Sequence, residues 1–568
     1  MLWDKRCMRE RLSVEEGLHE QQINLRVHYK LDRLQGIHMS DRTRRRHVKF
    51  PLKGSADVKT FEILKRTENT ALLLVAPETG RLPESMGNLA KYISGKSGGL
   101  GEVVSALCEG LKSRGIDCHL ATLNLKKRFQ KESNIDEQTW REIRYKVDPD
   151  NIHLVSSSVF SNLSCAYSGN PLLNAAEFQK DVINNIIKTV RARNGGKLIL
   201  HSHDWMAGGA ITAYAKSRNC PVLHTVHNVH TGHIPLEMLF GVDVESLTWN
   251  IYFSEEHGKR CIDSQATAIK SATLVNFVGN RFLREIIEDH FIDRPIIAPG
   301  IRQEVKAKYD HGAALSIMNA TSPGMYPERC EHLVRNYGPD DDVMAAKREN
   351  LMAFQKRTGL IVNPEAILLF WPSRLDPSQK GVDLLEKIAL SFIIEHGDVQ
   401  IAVVGNGVAR DQTHEEIFGR IACASGGKIT YQHFSEELSM LGYAAASDVF
   451  GASLYEPCGQ IDQLGNLYGA TATNRDTGGY HDKIQDLHLK VDGAPEDCGN
   501  GFLFRDYDAG GLWYGLSKSV DFHRKPTEIR EQQIKRIMKE AREKYNLDTM
   551  VDQYMQLYER LNDGKPLA

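Results

Sequence analysis

Two short motifs in the C-terminal part of the chain have residue types that could bind a sugar and a diphosphate together. Residues 456–459 read Glu-Pro-Cys-Gly after a predicted strand, and residues 477–479 form a glycine turn, Thr-Gly-Gly. A carboxylate can accept hydrogen bonds from sugar hydroxyls, and backbone N–H groups at a helix N-terminus bind phosphate. A Glu-Pro pair at a strand end is more often a plain turn, so the prediction depends on companion motifs upstream.

A lysine and two glycines form another candidate phosphate motif. Lys96 precedes Gly98 and Gly99, which open a predicted helix with apolar residues at helical spacing. The N–H groups of that helix and the mobile cation suit a diphosphate. The motif lacks the Gly-Lys-Ser/Thr of a P-loop and the spaced glycines of a dinucleotide fingerprint. Because glycine pairs are common in loops, phosphate binding and a plain turn are equally compatible with this motif alone.

Histidines and an aspartate follow two further predicted strands. Residues 201–204 read His-Ser-His-Asp, and His227, His230 and His233 come after the next strand. Imidazole and carboxylate clusters can hold zinc or iron. No helical His-x-x-x-His pair completes a metal set, so we predict no metal and favour a polar cluster that binds sugar hydroxyls. For His230 and His233, a structural role in loops is an open alternative.

Two cations share a loop after another predicted strand. Arg374 and Lys380 flank this loop, and Gly381 opens the next helix. Two cations that converge on one loop are costly unless an anion meets them, which makes the loop a candidate for binding phosphates. The alternative is a solvated surface loop, the commoner role of such a pair.

The hydrophobic pattern predicts the scaffold that positions these motifs. Short apolar runs, typical of strands buried on both faces, alternate with helical stretches in two series. The predicted strands cover 71–76, 118–123, 198–201, 222–226 and 274–278, then 367–371, 401–404, 429–431 and 449–452. The pattern indicates an α/β fold with two doubly wound units. In such sheets ligands bind beyond the carboxyl ends of the strands, and every motif above follows a predicted strand.

Composition and charge exclude several classes of protein. The 568 residues suit two or three globular domains, and a formal net charge of -2 gives no basic field for nucleic acid or an anionic membrane. No apolar run approaches a membrane span and no signal-peptide pattern opens the chain, so we expect a cytoplasmic protein. The ten cysteines include no Cys-x-x-Cys pair, which indicates reduced thiols.

The chain divides into five predicted segments. A charged extension covers 1–68, and we interpret its basic run at 42–49 as a solvated tail rather than a surface for an acidic partner. We predict an alternative translation start at Met39, because the residues before it show no periodic core pattern. The other segments are a Rossmann-like domain over 69–300, an irregular connection over 301–360, a second Rossmann-like domain over 361–530 and a helical segment over 531–568.

Taken in order, the motifs resemble those of the bacterial glycogen synthase and starch synthase family of retaining glucosyltransferases. The family motifs Lys-x-Gly-Gly-Leu, His-x-His-Asp-Trp, Thr-Val-His-Asn, Arg…Gln-Lys-Gly, Glu-Pro-Cys-Gly and Thr-Gly-Gly correspond to residues 96–100, 201–205, 225–228, 374–381, 456–459 and 477–479. The resemblance spans about residues 70 to 530. It implies a GT-B-like fold of two Rossmann-like domains facing across a cleft, with the acceptor on the first domain and the nucleotide-sugar on the second.

The resemblance also implies an activity and residue roles. The activity is transfer of glucose from ADP-glucose to the non-reducing end of an α-1,4-glucan with retention of configuration, without a metal or cofactor. On the phosphate side, the resemblance implies that Lys96, Gly98 and Gly99 bind the diphosphate, that Arg374 and Lys380 bind the leaving phosphates, and that the turn of Thr477, Gly478 and Gly479 donates N–H groups to the distal phosphate. On the sugar side, it implies that Asp204 and His227 lie at the glucose and reaction centre and that Glu456, Cys458 and Gly459 bind glucose hydroxyls. It also implies that the adenine ring stacks on Phe434. No carboxylate is clearly placed as a covalent nucleophile, so we expect front-face attack rather than double displacement.

The chain departs from the family pattern next to the candidate site. Residues 460–463 read Gln-Ile-Asp-Gln instead of apolar-Asn-Gln-Leu, Tyr455 stands where an Arg-Phe pair is frequent, and the loop from Pro83 to Lys96 is longer than usual. UDP-glucose as donor, a different acceptor, and a catalytically weak sugar-nucleotide-binding protein are therefore alternatives. A pyridoxal-phosphate-dependent phosphorylase and a metal-dependent hydrolase are further alternatives from other classes.

Overall fold

The computed structural model describes residues 70–95, 98–160, 162–294, 296–407, 412–488 and 499–567. The predicted extension over 1–68, the alternative start at Met39 and the proposed phosphate ligand Lys96 lie outside these ranges and stay predictions. Within the described ranges, no helix combines the length and the apolar character needed to cross a membrane.

The first half of the described chain forms a large parallel sheet and a small antiparallel one. Their strands are β1 (Ala71–Val75), β2 (Cys118–Leu123), β3 (Ile152–Val155), β4 (Leu198–His203), β5 (Val222–Val226), β6 (His233–Pro235), β7 (Phe253–Glu256), β8 (Lys259–Asp263), β9 (Leu274–Phe277) and β10 (Ala314–Ser316). The seven-stranded sheet has the order β10-β9-β5-β4-β1-β2-β3, and the small sheet has the order β6-β8-β7. β1 is apolar and buried throughout, as expected for a strand covered on both faces.

Ten α-helices accompany these strands in the described ranges. They are α1 (Gly99–Ser113), α2 (Lys126–Glu132), α3 (Glu137–Tyr145), α4 (Pro171–Asp181), α5 (Ile187–Arg193), α6 (Asp204–Ala207), α7 (Gly209–Ser217), α8 (Ser264–Ser271), α9 (Asn280–Ile287) and α10 (Pro299–Asp310). A π-helical turn, Val182–Ile186, joins α4 to α5.

The second half repeats the doubly wound arrangement. Its strands are β11 (Ile367–Trp371), β12 (Val399–Val404), β13 (Ile429–Gln432), β14 (Asp448–Gly451), β15 (Thr471–Arg475) and β16 (Gly501–Phe504). They form a parallel sheet with the order β13-β12-β11-β14-β15-β16. The helices that follow β10 along the chain are α11 (Val343–Thr358), α12 (Val382–Glu395), α13 (Thr413–Ala424), α14 (Glu436–Ala445), α15 (Ile461–Leu467), α16 (Gly478–Lys483), α17 (Ala509–His523), α18 (Thr527–Lys544) and α19 (Leu547–Leu561), of which all but α19 accompany this sheet.

The predicted α/β architecture with two Rossmann-like units is confirmed, and each of the nine predicted strands overlaps an observed one. The pattern missed several strands, of which β15 is the most instructive because it reads Thr-Ala-Thr-Asn-Arg. Its hydroxyls at Thr471 and Thr473 donate to the carboxylate of Asp448, at 2.5 and 3.0 Å. This strand is therefore stabilised by buried polar contacts that an apolar pattern does not reveal.

The irregular connection predicted over 301–360 is wrong, since this range contains most of α10, all of β10 and all of α11. The buried face of α11 includes the polar residues Lys347, Asn350 and Gln355, which hide its helical period in the sequence. Lys347 is satisfied by main-chain carbonyls, its Nζ donating to Tyr468 at 2.9 Å.

The C-terminal helical segment consists of two helices rather than one, and they belong to different halves of the molecule. α18 packs against α15 of the second half, whereas α19 returns to α1 and β5 of the first. The Tyr558 hydroxyl on α19 lies 2.8 Å from Nδ1 of His201 in β4. The first strand, β1, and the last helix, α19, of the described ranges therefore both pack in the first Rossmann-like unit.

Candidate active site

The centre of the candidate site is an ion pair between two residues that the motifs had assigned to different ligands. Lys380, which precedes the N-cap Gly381 of α12, donates from Nζ to Oε2 of Glu456 at 2.6 Å, and the Ser453 hydroxyl donates to the same oxygen at 2.8 Å. Glu456 is 7% exposed, so burial raises the pKa of its carboxyl, but the charge and hydrogen bond of Lys380, the hydrogen bond of Ser453 and the charge of Lys483 together outweigh burial and hold this pKa below the usual range. The carboxylate is therefore ionised at neutral pH.

The Glu-Pro-Cys-Gly loop and the Thr-Gly-Gly turn pack directly on each other. Gly478 has a φ of 46°, and a Cβ on it would collide with the main chain of Glu456. The Gly479 N–H donates to the carbonyl oxygen of Glu456 at 2.9 Å. Gly459, with a φ of 69°, lies against the ring of Tyr480 in the same way. Glycine is required at both positions, because a Cβ at Gly478 would meet the main chain of Glu456 and a Cβ at Gly459 would meet the ring of Tyr480.

This packing changes the expected role of Thr477, Gly478 and Gly479. The Gly478 N–H donates to Oε1 of Glu285 at 3.0 Å, and the Gly479 N–H is bonded to Glu456. Both glycine N–H groups that were expected to bind the distal phosphate are therefore engaged within the protein. The turn supports the Glu456 loop rather than offering an open phosphate cradle.

Asp204 lies at the carboxyl end of β4 in a strained conformation. Its φ of 56° is in the left-handed region, which is uncommon for a residue with a side chain and is frequent at functional sites. Its Oδ1 accepts the N–H groups of His227 and Asn228, at 2.6 and 3.1 Å. Burial raises the pKa of Asp204 to about 7, with a smaller contribution from the Glu78 carboxylate, while the two N–H groups oppose the rise.

The histidines form a buried neutral network next to Asp204. Nδ1 of His203 lies 3.0 Å from Nε2 of His227, and Nε2 of His201 lies 2.8 Å from the hydroxyl of Thr225. Burial lowers the pKa of His227 to about 3, so its ring is neutral at physiological pH. No group of three or more His, Cys, Asp or Glu side chains suited to a metal ion occurs in the described ranges. His233 contacts Ser254 at 2.7 Å in the small sheet.

The predicted glycine loop meets residues from both halves of the molecule. The Gly98 N–H donates to Oε2 of Glu78 at 2.9 Å, and the Tyr167 hydroxyl donates to Oε1 at 3.2 Å. Gly99 lies against the side chain of Gln460, which precedes α15. Sequence reasoning missed Glu78, although an acidic residue just beyond β1 occupies the position where ligands bind in such sheets.

Arg374 and Phe434 are predicted site residues with exposed side chains. Nη2 of Arg374 donates to Gln379 at 3.4 Å, and its side chain is 55% exposed, so it can reach a ligand in the cleft. Phe434 follows β13 and is 54% exposed. Asn406 joins the two loops, because its side-chain oxygen accepts the Phe434 N–H at 3.1 Å and its carbonyl accepts the Leu375 N–H at 3.0 Å.

The remaining predicted residue, Cys458, is a buried thiol. Burial raises its pKa, so the sulfur is protonated at neutral pH and is no nucleophile. The loop around it touches the other half of the molecule, where the Pro457 carbonyl lies against Gly279. The site thus places an ionised carboxylate with its lysine partner at the boundary between the two halves.

Comparisons with known proteins relate this chain to glycogen and starch synthases. A family model described as the starch synthase catalytic domain matches residues 90–294. A glycogen synthase from Bacillus cytotoxicus is 25% identical over 492 residues, covering 82% of this chain and 96% of that protein. A glycogen synthase from Edwardsiella ictaluri is 29% identical over 368 residues, covering 64% of this chain and 72% of that protein.

Solved structures share the fold. The catalytic domain of starch synthase IV from Arabidopsis thaliana, bound to ADP and acarbose, has a TM-score of 0.68 at 20% identity, covering 87% of this chain and 99% of that one. Sucrose-phosphate synthase from Thermosynechococcus elongatus has a TM-score of 0.52 at 13% identity, covering 87% of this chain and 100% of that one. The predicted GT-B arrangement of two Rossmann-like domains is confirmed.

Proposed function

We propose that the chain, which is similar to glycogen synthases and to the starch synthase catalytic domain, is a glycosyltransferase of that family and transfers glucose from ADP-glucose to the non-reducing end of an α-1,4-glucan with retention of configuration. The observation that carries this proposal is the buried ion pair of Lys380 and Glu456. It lies on the second domain, beside contacts of the same loop with Gly99 and Gly279 of the first. A donor in the cleft would meet groups from both domains.

The charges suit the breaking of a glucosyl–phosphate bond. In that step the sugar ring becomes positive and the departing diphosphate becomes negative. We propose that ionised Glu456 binds glucose hydroxyls and stabilises the positive ring, with Lys380 and Arg374 on the phosphate side. Fixed cations can supply the stabilisation that a metal ion gives elsewhere, so we propose that the reaction needs neither metal nor cofactor.

We propose front-face attack, in which the departing phosphate oxygen takes the proton of the acceptor hydroxyl. Glu456 has one carboxylate oxygen bound to Lys380 and Ser453, which holds it in place rather than leaving it mobile as a covalent nucleophile. Asp204 has an oxygen held by two backbone N–H groups, and burial raises its pKa to about 7. A carboxyl that is partly protonated at neutral pH is a poor nucleophile and a better hydrogen-bond partner for glucose.

The preference for ADP-glucose rests on Phe434. Its exposed ring next to the Arg374 loop is suited to stack on a base, and stacking contributes about 1–3 kcal/mol. The related starch synthase IV catalytic domain binds ADP, which supports adenine as the base.

The decisive experiment supplies the protein and glycogen with labelled ADP-glucose and, separately, labelled UDP-glucose. We expect incorporation of label into the glucan with higher kcat/KM for ADP-glucose, release of the label by an α-1,4-specific amylase, and no effect of a metal chelator. Binding of ADP without incorporation from either donor would instead identify a sugar-nucleotide-binding protein. Incorporation only from UDP-glucose would overturn the donor assignment alone.

A further inference from the structure

Helix α9 of the first domain carries an acidic residue on its buried face. Glu285 is 2% exposed and lies among the buried apolar residues Phe282, Leu283 and Ile286 of the same helix. Burying a carboxylate is destabilising unless hydrogen bonds or charges compensate. The partners of Glu285 therefore indicate why it is there.

Its hydrogen-bond partners belong to the second domain, while Nε of Arg281 on its own helix lies 3.5 Å from Oε1 as an ion pair. Oε1 of Glu285 accepts the Gly478 N–H at 3.0 Å, and the Thr477 hydroxyl lies 3.1 Å from Oε1 and 3.2 Å from Oε2. Burial raises the pKa of Glu285, while these hydrogen bonds and the charge of Arg281 oppose the rise. A further link crosses beside it, since the Arg281 N–H donates to Asp482 at 3.0 Å. α9 is thus bonded to the start of α16 across the domain boundary.

The same turn is bonded to the main chain of Glu456. The Gly479 N–H donates to the Glu456 carbonyl at 2.9 Å, and Gly478 lies so close to the Glu456 main chain that no Cβ would fit. The two N–H groups therefore belong to neighbouring residues, since Gly478 donates to Glu285 and Gly479 donates to Glu456. A displacement of the turn must displace the Glu456 loop, because closely packed backbones cannot move independently.

We propose that Glu285 is a positioning residue for Glu456: it holds the turn 477–479 from the first domain and so fixes the Glu456 carboxylate in the cleft. The inference rests on the proposed function, since its effect is read in glucosyl transfer. The role depends on the reach of the side chain, because its partners in the turn are a neutral N–H and a neutral O–H. A glutamine oxygen of equal reach can accept both, whereas an aspartate falls short.

The test compares Glu285→Gln, Glu285→Asp and Glu285→Ala with the parent at a temperature well below all melting temperatures. We expect Glu285→Gln to keep kcat within about threefold, and the Asp and Ala variants to lose at least about tenfold in kcat with little change in donor KM. Glu288→Gln, at the C-cap of the same helix and half exposed, is the matched control and should behave like the parent. If Glu285→Ala is insoluble, the Asp and Gln variants decide the question.

A second readout asks whether Glu285 acts through Glu456. In a Glu456→Gln background, Glu285→Asp should lower the residual kcat by less than about twofold, because the group that it positions has already lost its charge. Three results would overturn the proposal: parental kcat in the Asp variant, loss of kcat in the Gln variant with retention in the Asp variant, or fully multiplicative losses in the double variant. A parent protein that transfers no glucose from either donor would refute the proposed function, whereas normal transfer with these results would refute only the positioning role.

Discussion

Asp462 and Lys483 form an ion pair beneath the Glu456 loop, and removing one partner should destabilise the second domain strongly. Nζ of Lys483 donates to Oδ1 of Asp462 at 2.7 Å and also to the carbonyl of Gly459, and each charged side chain is only 1% exposed. The pair follows from a departure of the sequence, since Asp462 stands within residues 460–463, where the family pattern is uncharged.

The size of the effect follows from the burial. Breaking a buried pair by removing one partner costs about 3–5 kcal/mol, because the other charge is left without compensation. Burial raises the pKa of Asp462 to about 6 even beside Lys483, so in Lys483→Met this carboxyl takes up a proton at pH 7 and the loss falls near the lower end. For a domain of this size, about 3 kcal/mol corresponds to roughly 6–12 °C in melting temperature.

Differential scanning calorimetry on four proteins measures the effect: the parent, Lys483→Met, Asp462→Asn and the double variant. The double variant has no buried charge at these positions and should recover at least half of the loss in Lys483→Met. The control is Lys387→Met, which removes an exposed pair with Asp383 and should shift the melting temperature by less than about 3 °C. A double variant as unstable as Lys483→Met would refute the charge argument and leave the Gly459 carbonyl as the important partner.

Three further predictions concern the site. Glu456→Gln should lower kcat at least about a hundredfold, roughly 2.7 kcal/mol of transition-state stabilisation, and near-normal turnover would remove Glu456 from the mechanism. Phe434→Ala should raise the KM for ADP-glucose about 5- to 150-fold, which corresponds to about 1–3 kcal/mol, and an unchanged KM in initial-rate assays would exclude stacking. Burial raises the pKa of Asp204 to about 7 in the folded protein, against about 3.9 in the unfolded chain, so the stability that this carboxyl contributes falls as the pH rises from about 4 to 7 and is constant above that range. Asp204→Asn should therefore make the melting temperature depend less on pH between about 4 and 7. An unchanged pH dependence of the melting temperature in this variant would contradict the raised pKa.

The fold could be predicted where strands are continuous apolar runs, as in β1 and β11. It could not be predicted where burial is polar. β15 depends on hydroxyls bonded to Asp448, and α11 buries Lys347, so in both elements the residue types resemble those of an exposed segment. The spacing of apolar residues indicates which side chains are removed from water on folding. It does not indicate which buried polar groups find hydrogen-bond partners in the interior.

The candidate site could be predicted as a set of loops but not as a set of contacts. The motifs placed Lys380 and Glu456 after predicted strands. The two residues are 76 positions apart in the sequence, and they meet only because β11 and β14 are neighbours in the sheet. Glu285 gave no signal at all, because a glutamate following an arginine on a short helix is typical of an exposed face. Its burial is decided by the opposite domain, which a local pattern does not include.

The pairing of Lys380 with Glu456 also separates the roles of two cations that the sequence treated as equivalent. Lys380 bonds directly to Glu456 and lowers its pKa, whereas Arg374 has longer contacts, to Gln379 at 3.4 Å and Asp376 at 3.8 Å. Lys380→Ala should therefore raise the pKa of Glu456 and move the acidic limb of the kcat profile to higher pH, while Arg374→Ala should leave that limb in place. Arg374→Ala should instead weaken inhibition by ADP, because its exposed guanidinium is the group placed to reach a phosphate. Initial rates between pH 5 and 8, with and without ADP, measure both effects, and an identical shift of the acidic limb in the two variants would show that the ion pair does not control Glu456.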